Sequence, residues 1–162
     1  MSEMILTDEM KKVLDIVDNT EENIFVTGKA GAGKTTFLKY LIGHTKKKYV
    51  VAAPTGVAAI NAGGVTLHSL FGIPFGPITP YDQLDNRFST WKHEMLLSLE
   101  LLIIDEISMV RPDVLDTIDR KLRWICETDE PFGGKQVIMF GDLFQLLDRS
   151  DNGFSTYPIE AD

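Results

Sequence analysis

Cysteine is almost absent from this chain: Cys126 is the single one among 162 residues. No internal disulfide can form, no metal-ligand spacing surrounds it, and a small core residue is its expected role. Long apolar runs are also missing, and none approaches the roughly 20 residues that a membrane-spanning helix needs. Met1-Ser2-Glu3-Met4 lacks the basic start of a secretory signal. The expectation is a soluble, intracellular protein with no membrane partner, in cytoplasm or nucleoid, or in the nucleus if the source is eukaryotic. Positive charge is in deficit, with 16 Lys and Arg against 24 Asp and Glu and a formal net charge of −8. That balance argues against a surface that grips nucleic acid over its whole extent, though it leaves room for one basic groove. The only basic clusters, Lys46-Lys47-Lys48 and Arg120-Lys121/Arg123, read as solvated helix ends or faces. No repeat or low-complexity segment is present. With 44% hydrophobic and 25% charged residues, residues 1–162 read as one globular domain large enough to bury a core.

What the chain does contain is a glycine-rich stretch, Gly28-Lys29-Ala30-Gly31-Ala32-Gly33-Lys34-Thr35, between the apolar run Ile24-Phe25-Val26 and the amphipathic run Phe37 to Ile42. A strand before and a helix after are the setting of a phosphate-binding loop. Glycines admit positive φ and bring backbone N–H groups close around an anion, while the helix points the positive end of its dipole at the same place. The expected nucleotide-binding set is Gly28, Ala30, Gly31, Ala32, Gly33, Lys34, Thr35 and Thr36. Lys34 reaches the β and γ phosphates, and the Thr35 hydroxyl ligates Mg²⁺.

Around this loop the pattern alternates strands and helices. Thr7 is placed to cap a helix whose apolar face is Met10, Val13, Leu14 and Val17. Ile24 to Thr27 and Tyr49 to Ala53 read as strands on either side of a helix over Lys34 to Gly43, the start of a parallel sheet. Thr55 to Ala62 reads as a short helix stopped by Gly63-Gly64, and a second begins near Thr66 and carries His68. From Gly72 to about Thr90, Pro74, Pro77 and Pro80 interrupt any periodicity, the mark of a functional loop or a plain surface excursion. Trp91 to Ser98 is predicted helical, Leu101 to Asp105 a strand, Pro112 to Trp124 a helix with proline in its first turn, and Gln136 to Phe140 a strand.

Leu101-Leu102-Ile103-Ile104-Asp105-Glu106 delivers two carboxylates at the end of a buried strand. Asp105 is expected to hold Mg²⁺ together with Thr35, through water because magnesium sheds its hydration reluctantly. Glu106 is expected to orient or deprotonate the attacking water. Gly141-Asp142-Leu143-Phe144-Gln145 follows another strand, so Gln145 comes to the same sheet edge, where open α/β sheets bind ligands. With Lys34 and Glu106 it completes the expected catalytic set, sensing the γ-phosphate.

Several stretches resemble the petite-integration-frequency (PIF-type) DNA helicases, relatives of the RecD-like helicases of superfamily 1. Ala53-Pro54-Thr55-Gly56-Val57-Ala58-Ala59-Ile60-Asn61-Ala62-Gly63-Gly64 and Thr66-Leu67-His68-Ser69-Leu70-Phe71 are similar to that family's two DNA-contacting motifs. Asp105-Glu106-Ile107-Ser108-Met109 is similar to its Mg²⁺ motif, and Gly141 to Leu146 to its γ-phosphate-sensing motif. The resemblance implies an α/β P-loop NTPase (RecA-like) three-layer fold, with a mostly parallel sheet ordered Ile24 strand, Val137 strand, Leu101 strand, Tyr49 strand. It implies ATP and Mg²⁺ as cofactors and single-stranded DNA as partner, bound through Pro54, Thr55, Gly56, Thr66, His68 and Ser69. From the residues alone, Thr55 and Thr66 read equally as helix caps, and Phe71 and Phe75 as base-stacking or core residues. The resemblance further implies the first motor domain of a 5′-to-3′ helicase, whose second RecA-like domain is expected to lie outside these residues and to supply an arginine to the γ-phosphate. Two departures stand out. Met10 and Lys11 occupy the candidate positions of the family's adenine-reading glutamine, so poor base discrimination is expected, and Leu147-Asp148-Arg149-Ser150 replaces the usual Pro-Pro. Rival readings are a RecD-like subunit, a nucleotide-loaded DNA-binding switch without turnover, and a small-molecule phosphotransferase. The last is weakened by the single arginine, Arg87, of the long loop.

Overall fold

Parallel strands buried on both faces need apolar residues at every position, and the strands of this chain have them. The structure, a computed structural model, describes residues 7–28, 33–79 and 87–142, together with the backbone of 155–158. It contains α1 (Asp8–Asn19), β1 (Ile24–Thr27), α2 (Lys34–His44), β2 (Tyr49–Ala53), α3 (Gly56–Ala62), β3 (Val65–Thr66) and α4 (Leu67–Phe71). After the long loop come α5 (Thr90–Ser98), β4 (Leu101–Ile104), a 3-10 turn (Ile107–Met109), α6 (Pro112–Cys126), a second 3-10 turn (Pro131–Gly134), β5 (Gln136–Gly141) and β6 (Ser155–Pro158).

The strands form one sheet in the order β3-β2-β4-β5-β1-β6, and every pairing is parallel. The expected order of the four central strands is observed. The period-2 geometry of the strands sorts side chains into two cores. Ile24, Val26, Leu101, Ile103, Ile138 and Phe140 pack against Met10, Val13 and Val17 of α1 and Phe37, Leu38 and Leu41 of α2. Phe25, Leu102, Ile104, Val137 and Met139, from the alternate positions, pack against Leu67, Leu70 and Phe71 of α4, Leu96 of α5 and Val114, Ile118 and Leu122 of α6. The result is the three-layer α/β arrangement expected from the resemblance.

Capping fixes the helix starts. Thr7 accepts from the Met10 N–H at 3.2 Å, Thr55 from the Ala58 N–H at 3.1 Å, and Thr66 from the Ser69 N–H at 3.2 Å. Ser89 caps α5 through the Lys92 N–H, which starts that helix one residue ahead of the pattern. Helix α6 runs two residues past Trp124 and stops where Glu127 turns left-handed at φ 50°.

Some expectations are corrected. Lys121 is not on a solvated face: it is 1% exposed, with its ammonium 5.1 Å from the centre of the Phe88 ring. Lys47 is also drawn inward, donating to the Thr20 carbonyl at 2.6 Å and to Gln136 Oε1 at 2.8 Å. Phe71 is core, with no exposed surface, which excludes it from base stacking. Cys126 is half-buried at the edge of one core. Strands β3 and β6 are additions: the first has two residues, and the second lies in a stretch without apolar alternation.

At the β3 edge, Gly64 lets the chain leave α3 and pair with β2, because a Cβ there would collide with the Val51 carbonyl. Gly43, inside α2, has open space at the same test. Gly64→Ala is therefore expected to destabilise the chain by about 1–3 kcal/mol, whereas Gly43→Ala stabilises it by about 0.5 kcal/mol. Urea unfolding of the two variants checks this, and equal shifts would contradict the close approach at Gly64.

Candidate nucleotide-binding site

Because all pairings are parallel, the segments after β1, β4 and β5 emerge on one edge of the sheet. Helix α2 begins there. Its N-cap, Gly33, lies in the left-handed region at φ 87° and, among the described residues, no side chain caps the helix. The first N–H groups of α2 thus face the cleft with no internal partner, the condition for anion binding at a helix start. The cleft has a volume of about 410 Å³. Gly33, Lys34, Thr35 and Thr36 form one side, Asp105 and Glu106 another, and Phe140, Gly141 and Asp142 the third. Lys34 donates to the Gly28 carbonyl at 2.8 Å and to Asp142 Oδ1 at 2.9 Å.

The acidic side is held by the backbone. The Asp105 N–H donates to the Ala52 carbonyl at 2.9 Å. Glu106 then takes φ 52° and ψ 46°, a conformation that costs a non-glycine residue energy and that recurs at functional sites. The 3-10 turn after it packs so closely on β5 that a Cβ on Gly141 would lie 2.6 Å from Ile107 Cγ2. Burial pushes the Asp105 carboxyl up from its ordinary value, opposed in part by the Glu106 N–H and by the charge of Lys34.

Of the residues expected at the nucleotide, Gly33, Lys34, Thr35, Thr36, Asp105 and Glu106 line one cleft, and Gly28 joins them through its carbonyl. Ala30, Gly31, Ala32 and Gln145 lie outside the described residues. Asp142 carries no role in the sequence reading, although an acid directly after a buried strand is the same signal that marks Asp105. A larger concavity, about 660 Å³, is lined by His93, Leu97, Trp124 and the end of α6. It lies toward the opposite edge, where β5 begins, and offers no glycine-rich turn or helix start to a phosphate.

The expected DNA residues occupy the cleft's edge of the sheet, after β2 and β3. Pro54, Thr55 and Gly56 enter α3, and Thr66, His68 and Ser69 enter α4. Both threonine side chains act as caps, so that side of the alternative is realised. The His68 ring stacks on Phe75, with centroids 4.9 Å apart and planes 16° from parallel, while Phe75 remains 88% exposed. The turn carrying Phe75 is tied to the start of α6: Arg111 donates to the Gly76 carbonyl at 2.6 Å, and the Ile78 N–H donates to Asp113 Oδ2 at 2.9 Å. The Ile78 N–H, followed by the Arg111 guanidinium, holds the Asp113 carboxyl below its ordinary value.

Comparison with known proteins gives a consistent result. The PIF1-like helicase family matches residues 5–161. The ATP-dependent DNA helicase RRM3 of Saccharomyces cerevisiae is 39% identical over 153 residues, which cover 90% of this chain and 21% of that protein. A crystal structure of Bacteroides sp Pif1 in complex with ADP-AlF4 superposes with a TM-score of 0.89 at 61% identity, over 97% of this chain and 42% of that one. A Bacteroides Pif1 structure in complex with ADP-AlF3 and single-stranded DNA is 75% identical, with a TM-score of 0.83, over 88% of this chain and 33% of that one. The chain spans about a fifth of the length of the curated relatives it matches.

The raised Asp105 carboxyl has a consequence for stability. Its proton is held more tightly in the folded than in the unfolded chain, so stability falls as pH rises through the folded-state value. Asp105→Asn is expected to raise the unfolding midpoint of the ligand-free chain at neutral pH and to flatten that fall. Thermal unfolding across the acid range measures both, and a lowered midpoint at neutral pH would contradict the desolvation of Asp105.

Proposed function

The chain belongs to the PIF1-like helicase family, and from that premise we propose that residues 1–162 form one RecA-like unit, the first motor domain of an ATP-dependent 5′-to-3′ DNA helicase. In the whole protein, ATP hydrolysis drives translocation along single-stranded DNA and duplex unwinding. The observation that carries this reading is the cleft where Lys34, Thr35, Asp105 and Glu106, far apart in sequence, meet at the uncapped start of α2.

In this reading Lys34 and the first N–H groups of α2 hold the β and γ phosphates. Thr35 and Asp105 are an oxygen donor set that suits Mg²⁺, held in part through water, and the bound ion would neutralise charge on the phosphates. Glu106 orients or deprotonates the attacking water, and Gln145 senses the γ-phosphate. Selection of adenine is weak: Met10 is buried beside Gly33 without a polar group to read a base, and Lys11 is exposed.

Thr55 and Thr66 serve DNA without giving up their caps. A hydroxyl that accepts from a backbone N–H keeps its own proton to donate to a phosphate oxygen. With Pro54, Gly56, His68 and Ser69 they form a short row of backbone contacts, and Phe75 presents a ring face to a base. Such contacts position a strand without reading its sequence.

A second reading, a nucleotide-loaded switch with little turnover, is favoured for the chain alone by one observation. Among the described residues no arginine lines the cleft. An arginine supplied across the cleft in P-loop motors is worth about 10³ to 10⁵ in rate. The family's pattern puts it on a second motor domain, so these 162 residues are expected to bind ATP and hydrolyse it very slowly, with or without DNA.

Two measurements test the proposal. Lys34→Ala should weaken binding of a non-hydrolysable Mg-ATP analogue by about 10- to 100-fold, the range of a charge-assisted hydrogen bond lost; calorimetric titration giving equal affinities would sink the phosphate-site reading. Fluorescence anisotropy with labelled single-stranded oligonucleotides should show weak, sequence-independent binding that salt abolishes. Tight, salt-insensitive or sequence-selective binding would contradict the proposed DNA contacts.

A further inference from the structure

The ammonium of Lys34 has three N–H donors, and among the described residues two are engaged, by the Gly28 carbonyl at 2.8 Å and by Asp142 Oδ1 at 2.9 Å. Asp142 is the residue directly after β5 and forms one side of the cleft. Its side chain is half exposed, at 50%, whereas that of Lys34 is 20% exposed. The carboxylate, the more exposed of the two groups, thus pairs with the lysine across 108 residues of chain. Asp105 contributes a second carboxylate to the same cleft, drawn to the same lysine charge, yet the hydrogen bond goes to Asp142.

From this geometry we infer that Asp142 competes with nucleotide phosphate for Lys34 and thereby sets nucleotide affinity and release. The inference rests on the reading of the cleft as a nucleotide site. Phosphate oxygens and the Asp142 carboxylate are both anionic and both seek the same ammonium. Entry of a nucleotide therefore sets phosphate against Asp142 for the charge of that one ammonium, and close approach of the two anions is unfavourable. When the nucleotide leaves, Asp142 recaptures the lysine, so the empty cleft is not left with an unpaired, partly desolvated cation. Asp142 is a positioning residue in this scheme and touches no reacting atom.

The sign of the effect separates this role from a structural one. Loss of a merely structural contact loosens the cleft and weakens binding. Removing a competitor tightens it. Because a partly exposed ion pair is a modest interaction, Asp142→Asn is expected to strengthen Mg-ADP binding by about two- to five-fold and to slow ADP release by a similar factor. Asp142→Ala should act in the same direction.

The test combines calorimetric titration of Mg-ADP with lysine side-chain ¹⁵N NMR, the Lys34 signal being identified by its absence in Lys34→Ala. The expected result is tighter Mg-ADP binding in both Asp142 variants and a shifted Lys34 ammonium resonance in the nucleotide-free variants. Unchanged or weaker binding overturns the inference, and so does a Lys34 resonance that ignores the substitution. If the wild-type chain itself binds no Mg-ADP, the nucleotide reading falls first and the competition falls with it. If it binds Mg-ADP and the variants bind no better, only the role of Asp142 fails.

Discussion

Parallel pairing is the constraint on which the rest of this structure depends. A strand that runs parallel to its neighbours must return through a crossover, so every segment leaving a strand emerges on the same edge. Here that edge receives Gly28 and Gly33 after β1, Asp105 and Glu106 after β4, and Asp142 after β5. The same rule brings the entries to α3 and α4 alongside, after β2 and β3. Two apolar cores, one on each face, hold the sheet rigid beneath them. A site of charged groups is thereby mounted on a base that cannot easily shift.

The groups at that edge are individually unfavourable. Helix α2 starts without a cap, Glu106 sits in a left-handed conformation, and Asp105 is partly desolvated. Each breaks a rule that the remainder of the fold obeys, as functional sites do when the surroundings over-determine them. Gly141 shows how: only a residue without a Cβ lets β5 approach the turn that holds Glu106. The Lys34–Asp142 pair partly offsets the imbalance, giving the cleft's lysine a counter-charge.

Much of this was legible in the sequence because it depends on local pattern. The apolar runs of β1, β4 and β5 mark buried strands whatever surrounds them, and Thr7, Thr55 and Thr66 mark helix starts through a bond only three residues long. Strand order was legible only through the family resemblance, since periodicity carries no information about neighbours. What escaped depends on tertiary packing. Lys121 looks like a surface charge until Phe88 is folded over it, and Lys47 until the Gln136 amide is brought to it. Strand β3 has two residues and no period, and Asp142 acquires its partner from 108 residues away. In the candidate site, residue types and edge were readable, whereas which carboxylate holds the lysine was not.

The central claim is that the open edge of the parallel sheet, not the larger concavity beside α6, receives the nucleotide phosphates. Amide ¹H–¹⁵N NMR of the chain titrated with Mg-ADP addresses it directly. If the sheet edge is the site, shifts should concentrate at Gly28, Gly33 to Phe37, Asp105 to Ile107, and Gly141 and Asp142. Shifts centred on His93, Leu97 and Trp124, with the start of α2 unmoved, would show that the phosphates bind elsewhere.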